Sequence, residues 1–215
     1  SLPVAETREA MTAILADLER GRAALQYGTN AGYLPLRETV LARLLVADGF
    51  AGGHRPTVDQ VLLTAGINQL LHLVSEVLLD PGDIVLCASP TYFVFLGMLN
   101  SLGATALGVA IDEQGLIPEA LNETLERLKK AGDRHRVKAI YVTSYYENPS
   151  TVTLPADRRA AIVEIAKRNA HPAPIYVIDD AAYRELRYAG DDVPSLQTFD
   201  DDGETVIVAE TFSKS

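Results

Sequence analysis

Six apolar runs of strand length, with helical spacing in most of the gaps between them, limit what this chain can fold into. The runs are 61–64 (VLLT), 84–89 (IVLCAS), 104–111 (ATALGVAI), 139–144 (AIYVTS), 175–180 (IYVIDD) and 206–211 (VIVAET). Several are continuously apolar rather than alternating, the pattern of strands covered on both faces. Segments 36–48, 67–79, 92–102, 118–130 and 155–169 have helical periodicity. The clearest is PADRRAAIVEIAKRNA, which Pro155 opens and in which Ala161, Ile162, Ile165 and Ala166 share one face. Strands alternating with helices predict an α/β fold, a three-layer sandwich around a mostly parallel sheet with right-handed crossovers. Ligands of such sheets gather beyond the carboxyl ends of the strands, so the chemistry is expected just after these runs.

A chain of 215 residues with 47% hydrophobic content can bury the core of one large domain. Its formal net charge of −10, with no basic run, argues against a nucleic-acid surface. No apolar stretch approaches the roughly 20 residues that span a bilayer, and SLPVAETREA lacks the basic start and apolar core of a secretory signal. The single cysteine, Cys87, rules out an internal disulfide framework and fits a reducing compartment, so a cytoplasmic location is expected. Lying inside DIVLCASP, Cys87 is expected to be buried and inert. Four histidines and one cysteine form no metal-ligand cluster, and His72 reads as a packed helix residue. The polar patches 131–136 and 199–204 read as solvated turns.

Five segments can carry chemistry, each with a plainer alternative. Lys214, past the last run in Thr211-Phe212-Ser213-Lys214-Ser215, can form a Schiff base with an aldehyde or be a surface lysine. Asp179 and Asp180 end the run IYVIDD, and side-chain alternation lets one face a site while the other points away. Asp180 can pair with a protonated ring nitrogen, with Tyr183 bonding a ring oxygen, or it can cap a helical turn. Asn148, before Pro149, can donate to a ligand oxygen or hold its own loop. Gly66 between a strand and an amphipathic helix would expose the backbone N–H groups of Ile67 and Asn68 to a phosphate, or be a simple turn. Tyr92, after Pro90-Thr91, can pack on an aromatic ligand or belong to the core with Phe93 and Phe95.

These segments gain meaning from their order. GYLPLRE with Tyr27 ahead of it, then TAGINQ, LDPGD, SPTY, ENPS, DDAAY and TFSK follow one another as in the fold-type I pyridoxal-phosphate (PLP) enzymes of aminotransferase class I/II, which the sequence resembles over essentially its whole length. The resemblance implies that 1–215 is the PLP-binding large domain, with the rest of that domain and a small domain continuing past Lys214. Lys214 would carry PLP as a Schiff base and shuttle the substrate proton; Asp180 would keep the pyridine nitrogen protonated. Asn148 and Tyr183 would bond the ring oxygen, and Tyr92 would stack on the ring. Gly66, Ile67 and Asn68 would bind the phosphate with help from the Thr211 hydroxyl. Tyr27 would reach the phosphate of a neighbouring subunit's cofactor, implying a homodimer with shared active sites. Two departures stand out: Ile67 where relatives often have serine, and Ser150-Thr151 in place of Thr-Gly after Asn-Pro.

Transamination between an amino acid and a 2-oxo acid is the leading function that the resemblance implies. Decarboxylase, lyase or synthase chemistry on the same fold is an alternative. Another is a PLP-sensing domain of a transcriptional regulator, joined to a winged-helix segment. A PLP-free binding module would make Lys214 and Asp180 coincidental.

Overall fold

Alternate residues of the central strands enter two different cores, and this splits the molecule into layers. The computed structural model describes residues 3–50 and 53–214. Helices α1 (Val4–Ala16), α2 (Leu18–Ala24), α3 (Leu34–Asp48) and α4 (Ile67–Leu78) come first. Then follow β1 (Ile84–Ser89), α5 (Phe93–Ser101), β2 (Thr105–Asp112), β3 (Gly115–Leu116), α6 (Pro118–Ala131), β4 (Val137–Thr143), α7 (Ala156–Arg168), β5 (Tyr176–Asp180) and β6 (Val206–Ala209).

The strands form one six-stranded sheet in the order β3-β2-β1-β4-β5-β6. All neighbours pair in parallel except the short β3, which turns back against β2. Ile84, Leu86 and Ala88 of β1, with Ile140 and Val142 of β4, pack on one side against Leu121 and Leu125 of α6 and Ile162 and Val163 of α7. Val85 and Cys87, with Ala139 and Tyr141, pack on the other side against Leu71 of α4 and Phe95 and Leu99 of α5. The expected three-layer α/β sandwich is therefore present. Leu125, 1% exposed, is one of the contacts that hold α6 to the sheet. Burial of such a side chain stabilises the fold by roughly 1.5–3 kcal/mol.

Four sequence expectations need correction, and one group of helices was not expected. Segment 61–64 is extended but joins no strand ladder. The Arg37 side chain takes the carbonyls of Val58 and Val61 (2.5 and 2.7 Å), and Leu63 N–H donates to Ala31 instead (3.0 Å). The helices before residue 34 were not foreseen; α1 buries no residue, so it shows no core-facing period. Patch 131–136 is not simply a solvated turn, because Arg134 is buried and donates to the carbonyls of Val137, Asn169 and Ala173. In patch 199–204, Asp200 is buried and accepts from the Thr205 and Val206 amides (2.8 and 2.9 Å), while the Lys167 ammonium lies among Asp200, Asp201 and Asp202. His72 is half exposed and lies 3.7 Å from Glu76 one turn on. Cys87, by contrast, is buried as expected, and burial pushes its thiol up to about 12. No helix among the described residues is long and apolar enough to cross a membrane.

Candidate functional site

β1, β4, β5 and β6 are parallel neighbours, so their carboxyl ends share one edge of the sheet. Each of them delivers a candidate there. Tyr92 follows β1, Asn148 follows β4, Asp180 ends β5, and Thr211 and Lys214 follow β6. Chain order reverses direction between β1 and β4, which is the switch point where ligands of open α/β sheets bind. α4 leads into the start of β1, so its own N-terminus returns to this edge. The Tyr92 hydroxyl spans the two elements and donates to Asn68 Oδ1 (3.4 Å).

The start of α4 is open. Gly66 adopts φ 85° and ψ 168°, a conformation almost confined to glycine, and no side chain caps the helix. A Cβ placed there would meet nothing within 4 Å. The Gln69 side chain turns back to accept from the Ala65 amide (2.6 Å), and the Ile67 and Asn68 N–H groups have no acceptor among the described residues. Free N–H groups and the helix dipole favour an anion here.

Asp180 is 4% exposed. Its Oδ2 accepts from the Tyr141 phenol at 2.6 Å and its Oδ1 from the Ala182 amide at 3.2 Å. Burial pushes its carboxyl up to about 6, against the pull of those two donors. No cation pairs with it among the described residues. Asp179 takes the opposite face, as alternation requires: it is fully buried, accepts from the Leu196 amide (3.2 Å), and burial raises its carboxyl against the pull of Arg159. Nearby, Thr91 Oγ1 is buried at the end of β1 without a hydrogen-bond partner among the described residues.

The remaining candidates lie at the same edge without bonding one another. Tyr183 is half buried and precedes a 3-10 turn, Arg184–Leu186. That turn is anchored from below: Arg184 pairs with Asp48 of α3 (2.7 Å) and Asp192 (2.9 Å), and its guanidinium lies over Tyr145 at 5.2 Å. Asn148 is exposed on a loop closed by Thr151 N–H to Glu147 O (2.5 Å) and Ser150 Oγ to Glu147 Oε2 (2.5 Å). Thr211 is half buried and bonds Ser213 (2.9 Å), and Lys214 is exposed in the 3-10 turn Phe212–Lys214. Tyr27, on the link between α2 and α3, is 99% exposed. Sequence reasoning missed Tyr141, a phenol in a buried strand, although a buried hydroxyl of this kind calls for a partner.

The sequence profile of the family "aminotransferase class I and II" matches residues 2–215. An aromatic-amino-acid aminotransferase of Thermococcus litoralis is 32% identical over 193 residues, 89% of this chain and 43% of that protein. A transcriptional regulator of the helix-turn-helix type from Escherichia coli is 30% identical over 89% of this chain and 37% of its own length. Among solved structures, a kynurenine aminotransferase of Pyrococcus horikoshii in complex with PMP superposes with a TM-score of 0.86 at 33% identity, covering 99% of this chain and 49% of that one. The chain thus spans about half the length of the relatives it matches.

Proposed function

We propose, because the chain belongs to the aminotransferase class I and II family, that the whole protein is a PLP-dependent aminotransferase moving an amino group between an amino acid and a 2-oxo acid. The observation that carries this reading is Asp180, a buried carboxylate at the carboxyl edge with no cationic partner among the described residues. A protonated pyridine nitrogen is the partner that it lacks. The open start of α4 fits the phosphate in the same way, since it offers free amides and unfilled space. The residues present therefore fit the cofactor.

Bound PLP supplies an aldehyde that takes up a primary amine and a ring that draws electrons from the amino acid's Cα. The chain's own residues do the rest. Asp180 holds the proton at the ring nitrogen, because a cation beside it offsets the cost of burying its charge. Asn148 and Tyr183 donate to the ring oxygen, and Tyr92 covers the ring face. The Ile67 and Asn68 amides and the Thr211 hydroxyl bind the phosphate, with Gly66 leaving room for it. Lys214 would supply the amine that anchors the cofactor and, once freed, would carry the proton from the substrate Cα to the cofactor's former aldehyde carbon.

The reading extends to a homodimer in which the exposed Tyr27 reaches the neighbouring subunit's phosphate, and to a cytoplasmic location that fits the single buried thiol. A second reading, a PLP-sensing domain of a regulator, is favoured by the similarity to the Escherichia coli helix-turn-helix protein. Mixing the whole protein with L-glutamate and a 2-oxo acid separates them. Formation of the new amino acid at catalytic rates supports the enzyme, and cofactor binding without turnover supports the regulator.

A further inference from the structure

Strand pairing puts Tyr141 of β4 opposite Ile178 of β5, and Thr143 opposite Asp180. Tyr141 is therefore one step behind Asp180 on the same face, and its phenol reaches diagonally along the sheet to the carboxylate at 2.6 Å. The tyrosine has no freedom to do otherwise. It is completely buried, and the Phe95 ring stacks on it with centroids 4.1 Å apart and planes at 29°. Burial raises the phenol's own ionisation far above neutrality, so it remains a donor.

Resting on the PLP reading above, we propose that Tyr141 is a positioning residue for the ring-nitrogen site. Its phenol donates to Oδ2 of Asp180, fixes the rotamer of the carboxylate and stabilises its charged form, so that the lone pairs not taken by Tyr141 and the Ala182 amide face the ligand. Three other groups bear on the pair. The Ala182 amide holds Oδ1, Asp179 adds a like charge from the opposite face, and Cys87 of β1, next to Tyr141, stays a neutral thiol. Among the described residues, only Tyr141 donates a side-chain hydrogen bond to Asp180. Phe95 acts one step further out by clamping the tyrosine ring.

The test uses the whole protein loaded with PLP and compares wild type with Tyr141→Phe. The visible band of the bound cofactor and the pH profile of kcat/KM are recorded together. The variant should bind the cofactor, while the acid limb of its profile moves up by about one pH unit, the order of one lost hydrogen bond to a charged group. kcat at neutral pH should fall about tenfold with little change in KM, since the substrate's own contacts are untouched. Band and profile that superimpose on wild type would overturn the proposal. If Tyr141→Phe does not fold, 3-fluorotyrosine at position 141 serves instead. As a stronger donor of nearly the same shape it should move the acid limb down, and no movement overturns the proposal. A wild-type protein that forms no visible band fails one step earlier, at the PLP reading itself, and removes the ground of this inference with it.

Discussion

The guanidinium of Arg184 lies 2.7 Å from the carboxylate of Asp48, although 136 positions separate them in sequence and both side chains are buried. Asp48, the last residue of α3, also accepts from Ser195 N–H (2.9 Å) and Ser195 Oγ (2.5 Å). One carboxylate thus ties α3 to both ends of the segment that follows Asp180 and carries Tyr183.

Removing that carboxylate leaves a buried guanidinium with reduced compensation and two Ser195 donors without an acceptor. Asp48→Ala is expected to cost about 3 kcal/mol of unfolding free energy, the usual scale for breaking a buried ion pair from one side. Urea unfolding of the two proteins checks this. A loss below about 1 kcal/mol would mean that Asp192 alone satisfies Arg184.

The raised carboxyl of Asp180 has a sign that stability measurements can read. Its folded value of about 6 exceeds the ordinary carboxylate value, so the folded state holds a proton that the unfolded state has released. The contribution is therefore nil at low pH, becomes unfavourable as pH rises from about 4 to about 6, and is constant above. In the cofactor-free protein, Asp180→Asn should gain about 3 kcal/mol relative to wild type between pH 4 and pH 7. Using the difference between the two proteins cancels the raised carboxyls of Glu147 and Glu210. A difference that does not vary with pH contradicts the burial argument.

Gly66 is the third test. Its backbone lies where a Cβ is strained even though space is open, so Gly66→Ala should destabilise by about 1–3 kcal/mol and shift the start of α4. Cofactor titration should show affinity reduced about tenfold or more, because 1.4 kcal/mol corresponds to one decade. Unchanged affinity would place the phosphate elsewhere.

Much of this arrangement was legible in the sequence, for reasons that can be named. β1, β4 and β5 coincide closely with runs that are apolar because both faces of the sheet are covered there, while β2 and β6 coincide with apolar runs that are buried only in part. Parallel pairing then puts the residues after them on one edge, and Asp180 was found by that rule. The failures have a common cause, which is that polar side chains reach across the chain where only local pattern is readable. Arg37 holds 61–64 out of the sheet, Arg134 makes 131–136 a buried junction, and Asp200 does the same for 199–204. The Tyr141–Asp180 bond joins residues 39 apart and depends on strand register, which no local spacing reveals. α1 escaped notice although Val4, Met11 and Leu15 recur along it at helical spacing, and none of its residues is buried.

The central claim is that Lys214 anchors PLP, and chemical trapping tests it most directly. The whole protein would be loaded with PLP, reduced with borohydride, digested, and mapped by mass spectrometry. One phosphopyridoxyl label is expected, on Lys214, and none at any site in Lys214→Ala treated alike. A label on another lysine in the wild type, or none at all despite a visible band, would contradict it.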